Sequence, residues 1–201
     1  LTFEGDVLNW YQAPYTRAQI VDDDDVDQLI EEALNYHDAL GHDFSQYDSN
    51  NDGMIDYFCV FYAGNPSSGW GGFPWWGYFF PSFGDSGYSI DGKQLGSMSW
   101  QYTTWNGSPL DPRVVIHETG HALGLPDLYD YNTSIGPSGG TNTWDVMDNT
   151  RKDHNCFSKF LLGWITPTVV NTDTQLLELR ASGTYPDALL FMPDATSDGV
   201  F

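Results

Sequence analysis

The stretch LDPRVVIHETGHALGLPDLYD, Leu110 to Asp130, marks both ends of a helix and carries a metal-binding pattern inside it. Asp111 is a helix N-cap residue, and Pro112 suits the first helical position, where its missing N–H is no loss. His117 and His121 are four residues apart, so both imidazoles project from one face, spaced to hold a single tetrahedral Zn²⁺. Glu118 lies beside them on the helical wheel, near the metal without being needed as a ligand, which is the place for a general base acting on water. A catalytic zinc takes three protein ligands and keeps one position open. Gly124 can adopt the left-handed conformation that ends a helix, and three residues later Asp127 offers an oxygen donor. The string has the form H-E-x-x-H-x-x-G-x-x-D. Two unrelated histidines on an ordinary helix are the plain alternative, and the cap, the terminating Gly and the third donor weigh against it.

Twenty residues beyond Asp127, TWDVMDN supplies Met147. The pattern is similar to that of the metzincins, which have a third His where Asp127 stands and a downstream Met-turn. Met147 is then expected as a packed apolar floor beneath the metal, not as a ligand. A second helix is expected around 155–162, followed by β-like alternation from Thr168 to the end. Upstream, Val26, Leu29, Ile30, Ala33, Leu34 and Leu40 recur with helical spacing after the acid run Asp22 to Asp25. Acids at a helix start cap its free N–H groups and face the positive end of the dipole, the cap itself being worth ~1 kcal/mol. Ile55 to Tyr62 suits a buried strand, Gln94 to Tyr102 a second, and Thr2-Phe3 and Val7-Leu8 short ones. In the Gly-, Pro- and aromatic-rich stretch between, Trp70, Trp75, Trp76, Tyr78, Phe79 and Phe80 pack a long loop onto the body or line a substrate or sugar cleft.

Asp48, Asn50, Asp52, Gly53 and Asp56 spell D-x-N-x-D-G-x-x-D, the first nine positions of an EF-hand-type calcium loop. The carbonyl of Met54 falls at the seventh place. Position twelve, normally a bidentate Glu, is Cys59, so the expected Ca²⁺ site is structural and incomplete without water or a distant acid. A plain Asx-rich turn is the alternative.

The chain has 201 residues, with 28 acids against 7 bases and a formal charge of −21, and 23 of the acids are Asp. That balance excludes nucleic acid and anionic membrane as default partners, since both require clustered Lys and Arg. Apolar residues at 40% and aromatics at 16% are those of a folding chain, not of a disordered acidic tail. No apolar run is long enough to span a bilayer, and the N-terminus lacks the order of a signal peptide. Cys59 and Cys156 form one disulfide or remain a buried thiol pair. His37, His42 and His154 lack ligand spacing, so solvent-facing or hydrogen-bonded roles are expected for them.

HETGHALGLPDLYD, WDVM at Trp144 to Met147, SKFLLGW at Ser158 to Trp164 and FSQYDSNNDGMIDYFCVFYAG at Phe44 to Gly64 together resemble the immune inhibitor A metallopeptidases, which are secreted bacterial enzymes. The resemblance implies zinc on His117, His121 and Asp127, Glu118 as base, Met147 beneath the metal, and endopeptidase activity on proteins or peptides. It also implies a strand ahead of Leu1 and a β-rich continuation past Phe201, so the chain is expected to be a trimmed piece. The expected fold is α+β, a zincin-like catalytic domain over 1–166 with a twisted mixed sheet, backing and active-site helices, and the start of a β-rich extension over 167–201. In the expected mechanism zinc and Glu118 activate water, and Tyr129 or Tyr131 is a phenol donor to the oxyanion. The competing reading is a calcium-stabilised binding or adhesion module with a vestigial peptidase site. A third is zinc serving structure alone, although such a site would fill all four positions with protein ligands.

Overall fold

The computed structural model describes residues 4–67, 73–84, 87–135, 139–149, 153–170 and 177–191. Thr2-Phe3 and Trp70 lie outside them. The chain is α+β and divides into two compact units, Leu1–Ala122 and Leu123–Phe201. Among the described residues no helix is long and apolar enough to cross a membrane.

The first unit is built on strand β4, Lys93–Tyr102, with β1, Met54–Tyr62, running parallel on one side. On the other, β2, Tyr78–Phe80, and β3, Ser89–Ile90, run antiparallel to it. Asp91 and Gly92, both at positive φ, make the tight turn between β3 and β4 that a two-residue hairpin requires. Gly96 is forced by close approach, because a Cβ there would stand 2.2 Å from the Ile55 carbonyl of β1.

Pairing register gives this sheet two unlike faces. Phe58, Val60 and Tyr62 of β1 stand beside Met98, Trp100 and Tyr102 of β4, and all join the apolar core with Val26 and Ile30 of helix α1, Asp23–Ala39. Asp22 caps α1 by accepting from the Asp25 N–H at 3.1 Å, as the acid run predicts. The opposite face presents Tyr57 and Cys59 of β1, Ser97, Ser99 and Gln101 of β4, and Phe79 of β2. Helix α2, Pro112–Ala122, packs against β4 and β2, and Tyr57 and Phe79 of this polar face contact its residues Thr119 and His121. Gln101 is 0% exposed, and neither polar atom of its amide finds a partner among the described residues.

The aromatic loop packs inward. Trp75 is buried against Tyr62 and Trp100, with ring centroids 4.9 and 5.8 Å away, and the Trp100 indole N–H donates to the Pro74 carbonyl at 2.8 Å. Such pairs contribute about 0.5–1.5 kcal/mol each beyond area burial. Of the two roles weighed for the run, loop packing is the one seen at Trp75. The N-terminal segment is strapped on by polar contacts: Tyr11 and Tyr15 donate to Glu32, and the Arg17 guanidinium lies 4.2 Å over the Trp75 ring. Val7-Leu8 forms no strand; Val7 is fully exposed, so its apolar side chain has nothing to pair on.

Two further small strands of the first unit, β5, Thr104–Trp105, and β6, Ser108–Pro109, make a hairpin just ahead of α2. The second unit contains helix α3, Cys156–Leu161, capped by Asn155 on the Ser158 N–H at 3.0 Å. Strands β7, Thr168–Val170, and β8, Leu189–Phe191, pair in parallel where the β-like alternation was expected. Both cysteines are free thiols, and Cys156 is exposed, which corrects the readings as a bridge and as a buried pair.

Candidate metal centre

Helix α2 begins as its sequence dictates: the Asp111 carboxylate accepts from the Arg113 N–H at 3.0 Å, with Pro112 as the first helical residue. Two turns on, the His117 and His121 rings stand perpendicular with centroids 4.9 Å apart. Ligand atoms of His117, Glu118 and His121 all lie within 4.8 Å of one another, the one such group of metal-ligand types among the described residues. Two imidazole nitrogens on a tetrahedral zinc, each bonded at about 2.0–2.1 Å, need comparable proximity, so the donor set fits that ion.

The surroundings hold these groups firmly. Phe79 places its ring 5.8 Å from that of His121. Glu118 is 8% exposed, so its carboxylate is set into the protein beside the imidazoles. Underneath, the Tyr57 hydroxyl donates to Ser99 Oγ at 2.9 Å and lies 3.3 Å from Thr119 Oγ1, hydrogen-bonding strand β1 to the helix turn between the two histidines. Ser99 Oγ in turn donates to Cys59 Sγ at 3.0 Å. Burial, with a smaller push from the Glu118 charge, raises the Cys59 thiol to about 11, so it stays protonated and unreactive. Burial and then Glu118 raise Tyr78 as well.

Asp127 and Met147 belong to the second unit. There Gly124 has φ +93°, the left-handed geometry expected after the helix. The Leu128 N–H donates to the Met147 carbonyl at 2.8 Å, so the residue after Asp127 is tied to the fully buried Met147. Gly140 allows this packing, since a Cβ there would lie 2.2 Å from the Leu128 carbonyl. The Tyr131 hydroxyl donates to Asp127 Oδ2, and the Tyr129 and Tyr131 rings lie 4.8 Å apart. The structure brings Asp127, Tyr131 and the Met147 loop together in one unit, and His117, Glu118 and His121 together in the other.

Asp145 stands in the WDVM string without a role assigned to it there, yet it organises the Met147 loop. Its carboxylate is 0% exposed and accepts from the Met147 N–H at 2.7 Å, the Asn155 N–H at 2.7 Å, Ser158 Oγ at 2.8 Å and His154 Nδ1 at 3.2 Å. The burial of a charge among donors of which His154, Asn155 and Ser158 are distant in sequence is invisible to spacing rules. His154 takes the hydrogen-bonded role expected of it, as does His42, 3.0 Å from the Tyr47 hydroxyl, whereas His37 is buried.

In the 48–56 loop the side chains turn onto the loop itself. Asp48 accepts from the Asp52 and Gly53 N–H groups at 3.0 Å, Asn50 from Asp52 at 3.0 Å, Asp52 from Met54 at 2.9 Å, and Asp56 from Ser49 at 3.1 Å. Lys93 adds its ammonium to Asp48 Oδ2 at 2.6 Å, and this pairing holds the Asp48 carboxyl below the usual carboxylate range. The sequence carried one cue to Lys93: it follows the Asp91-Gly92 turn that brings the β4 start back toward the loop.

No protein-family model matches the chain, and no curated protein matches it.

Proposed function

We propose that this chain is a zinc-dependent endopeptidase domain of zincin, metzincin-like build, similar to the secreted immune inhibitor A enzymes. The observation that carries the reading is the clustering of His117, Glu118 and His121 on one helix face, with the Glu carboxylate buried beside the imidazoles. The zinc would be held by His117, His121 and Asp127, and when bound it polarises the scissile carbonyl and lowers the pKa of water toward ~7. The Glu118 carboxylate takes one proton from the attacking water as its oxygen bonds to the carbonyl carbon. Glu118 then delivers that proton to the amide nitrogen as the C–N bond breaks, giving a carboxylic acid and an amine, and the acid's proton passes to the amine so that the products leave as carboxylate and ammonium. Met147, packed and tied to the Leu128 N–H, supports the loop carrying Asp127. The Asp48 to Asp56 loop is proposed as a structural Ca²⁺ site using Asp48, Asn50, Asp52, Met54 and Asp56.

Glu118→Gln keeps the shape but removes the base. It is expected to abolish proteolysis of an unfolded protein substrate, by at least about a hundredfold in kcat, with zinc content unchanged by metal analysis. A chelator is expected to abolish it in the parent chain. Stoichiometric zinc without turnover would favour the competing reading, a binding module with a vestigial site.

A further inference from the structure

We propose that Tyr131 is a positioning residue of the metal centre, whose hydroxyl, by donating to Asp127 Oδ2, fixes which carboxylate oxygen Asp127 offers to zinc. This rests on the reading of Asp127 as the third zinc ligand. A carboxylate can bind a metal through one oxygen or both, and binding through both would fill the position that a catalytic zinc keeps open for water. A hydrogen bond to one oxygen makes the two inequivalent and favours metal binding through the other. Hydrogen-bonding partners of metal ligands act in this way, by orienting the ligand and tuning its basicity.

The local structure is arranged for the task. Asp130 accepts from the Asn132 N–H at 2.8 Å, a turn that carries the chain past Tyr131 and reverses it. The Tyr131 ring then lies against that of Tyr129 at 4.8 Å while its hydroxyl meets Asp127, four residues back. On the backbone side the Leu128 N–H is fixed to Met147. Asp127 is thereby held twice, once through the adjacent peptide and once through its own carboxylate. Tyr131 is 72% exposed, so it contributes little to the core, and its role is sought in the contact its hydroxyl makes. Both phenols that the sequence leaves open reach the Asp127 carboxylate, and the Tyr131 hydroxyl donates to its Oδ2.

The test is zinc affinity, measured on the whole chain by competition with a chromophoric chelator. Tyr131→Phe is expected to weaken zinc binding about 10- to 100-fold without moving the thermal midpoint of the metal-free protein. Asp127→Ala is expected to weaken it also, and adding Tyr131→Phe to Asp127→Ala is expected to bring no further loss, because the hydroxyl acts only through that carboxylate. A parent chain that fails to bind zinc, or an Asp127→Ala chain that binds it unchanged, overturns the ligand assignment and the proposal with it. Normal behaviour of those two chains with unchanged affinity in Tyr131→Phe overturns the role of Tyr131 alone, as does an equal loss from Tyr131→Phe in both backgrounds.

Discussion

Asp145 shows how much one buried side chain can organise. Burial by itself raises a carboxyl, but the N–H groups of Met147 and Asn155, the Ser158 hydroxyl and His154 outweigh it and hold Asp145 below its ordinary value of 3.8. A carboxyl depressed in the folded state contributes stability that is present above the unfolded value and is lost as pH falls through the folded one. The second unit is therefore expected to lose stability below about pH 4, followed by circular dichroism during acid titration. Asp145→Asn retains the shape but cannot accept as an anion, and is expected to cost about 2–3 kcal/mol at pH 7 and to flatten that acid limb. An urea midpoint equal to that of the parent chain would show the four contacts to be incidental.

At the scale of elements, the loop before β1 and the start of β4 share a charge. Lys93 occupies Asp48 in the structure, so a calcium ion entering the loop has to compete with an ammonium for one of its oxygens. Lys93→Met is expected to tighten Ca²⁺ binding about tenfold, since site charge sets affinity in such loops, with calorimetric titration as the measurement; weaker or unchanged binding would contradict the competition. The elements themselves were legible where they carry punctuation. Helices α1 and α2 are bounded by Asp22, Asp111 and Gly124 and β1 by its long apolar run, and these elements and β4 each form within a residue or two of their expected limits. The candidate metal ligands His117 and His121 on α2 were legible because helical geometry turns a spacing of four into a shared face. What sequence did not disclose is long-range pairing: Tyr57 with Thr119, Lys93 with Asp48, and Asp145 with Ser158 join residues whose separation follows no local period. Val7-Leu8 failed as a strand for the same reason, since β-propensity records fitness for a surface that only the fold provides.

For the whole molecule the charge of −21 has a different meaning once individual acids are placed. Asp22 caps a helix, Asp145 is buried in donors, and Asp48 is paired with a lysine. Four of the seven bases are committed as well: Arg17 to aromatic rings, Lys93 to Asp48, Lys159 to Asp153 and Arg180 to Asp187. Most of the remaining negative charge lies on the surface and repels itself. Raising NaCl from about 10 mM to about 150 mM, which shortens the screening length from ~30 Å to ~8 Å, is expected to raise the thermal midpoint in a differential scanning experiment. A falling midpoint would mean that attractive pairs, and not repulsion, dominate the surface.

The unlike faces of the β1–β4 sheet bear on how accurately the candidate metal-binding side chains of α2 can be aimed. The apolar layer against α1 is held by many close contacts that carry no directional requirement. The layer under α2 adds direction, since the Tyr57 hydroxyl must meet Ser99 and Thr119 at hydrogen-bond distance and angle. The helix is indexed to the sheet much as a key is to its slot. One side of the sheet supplies cohesion, and the other sets where the imidazoles of His117 and His121 point.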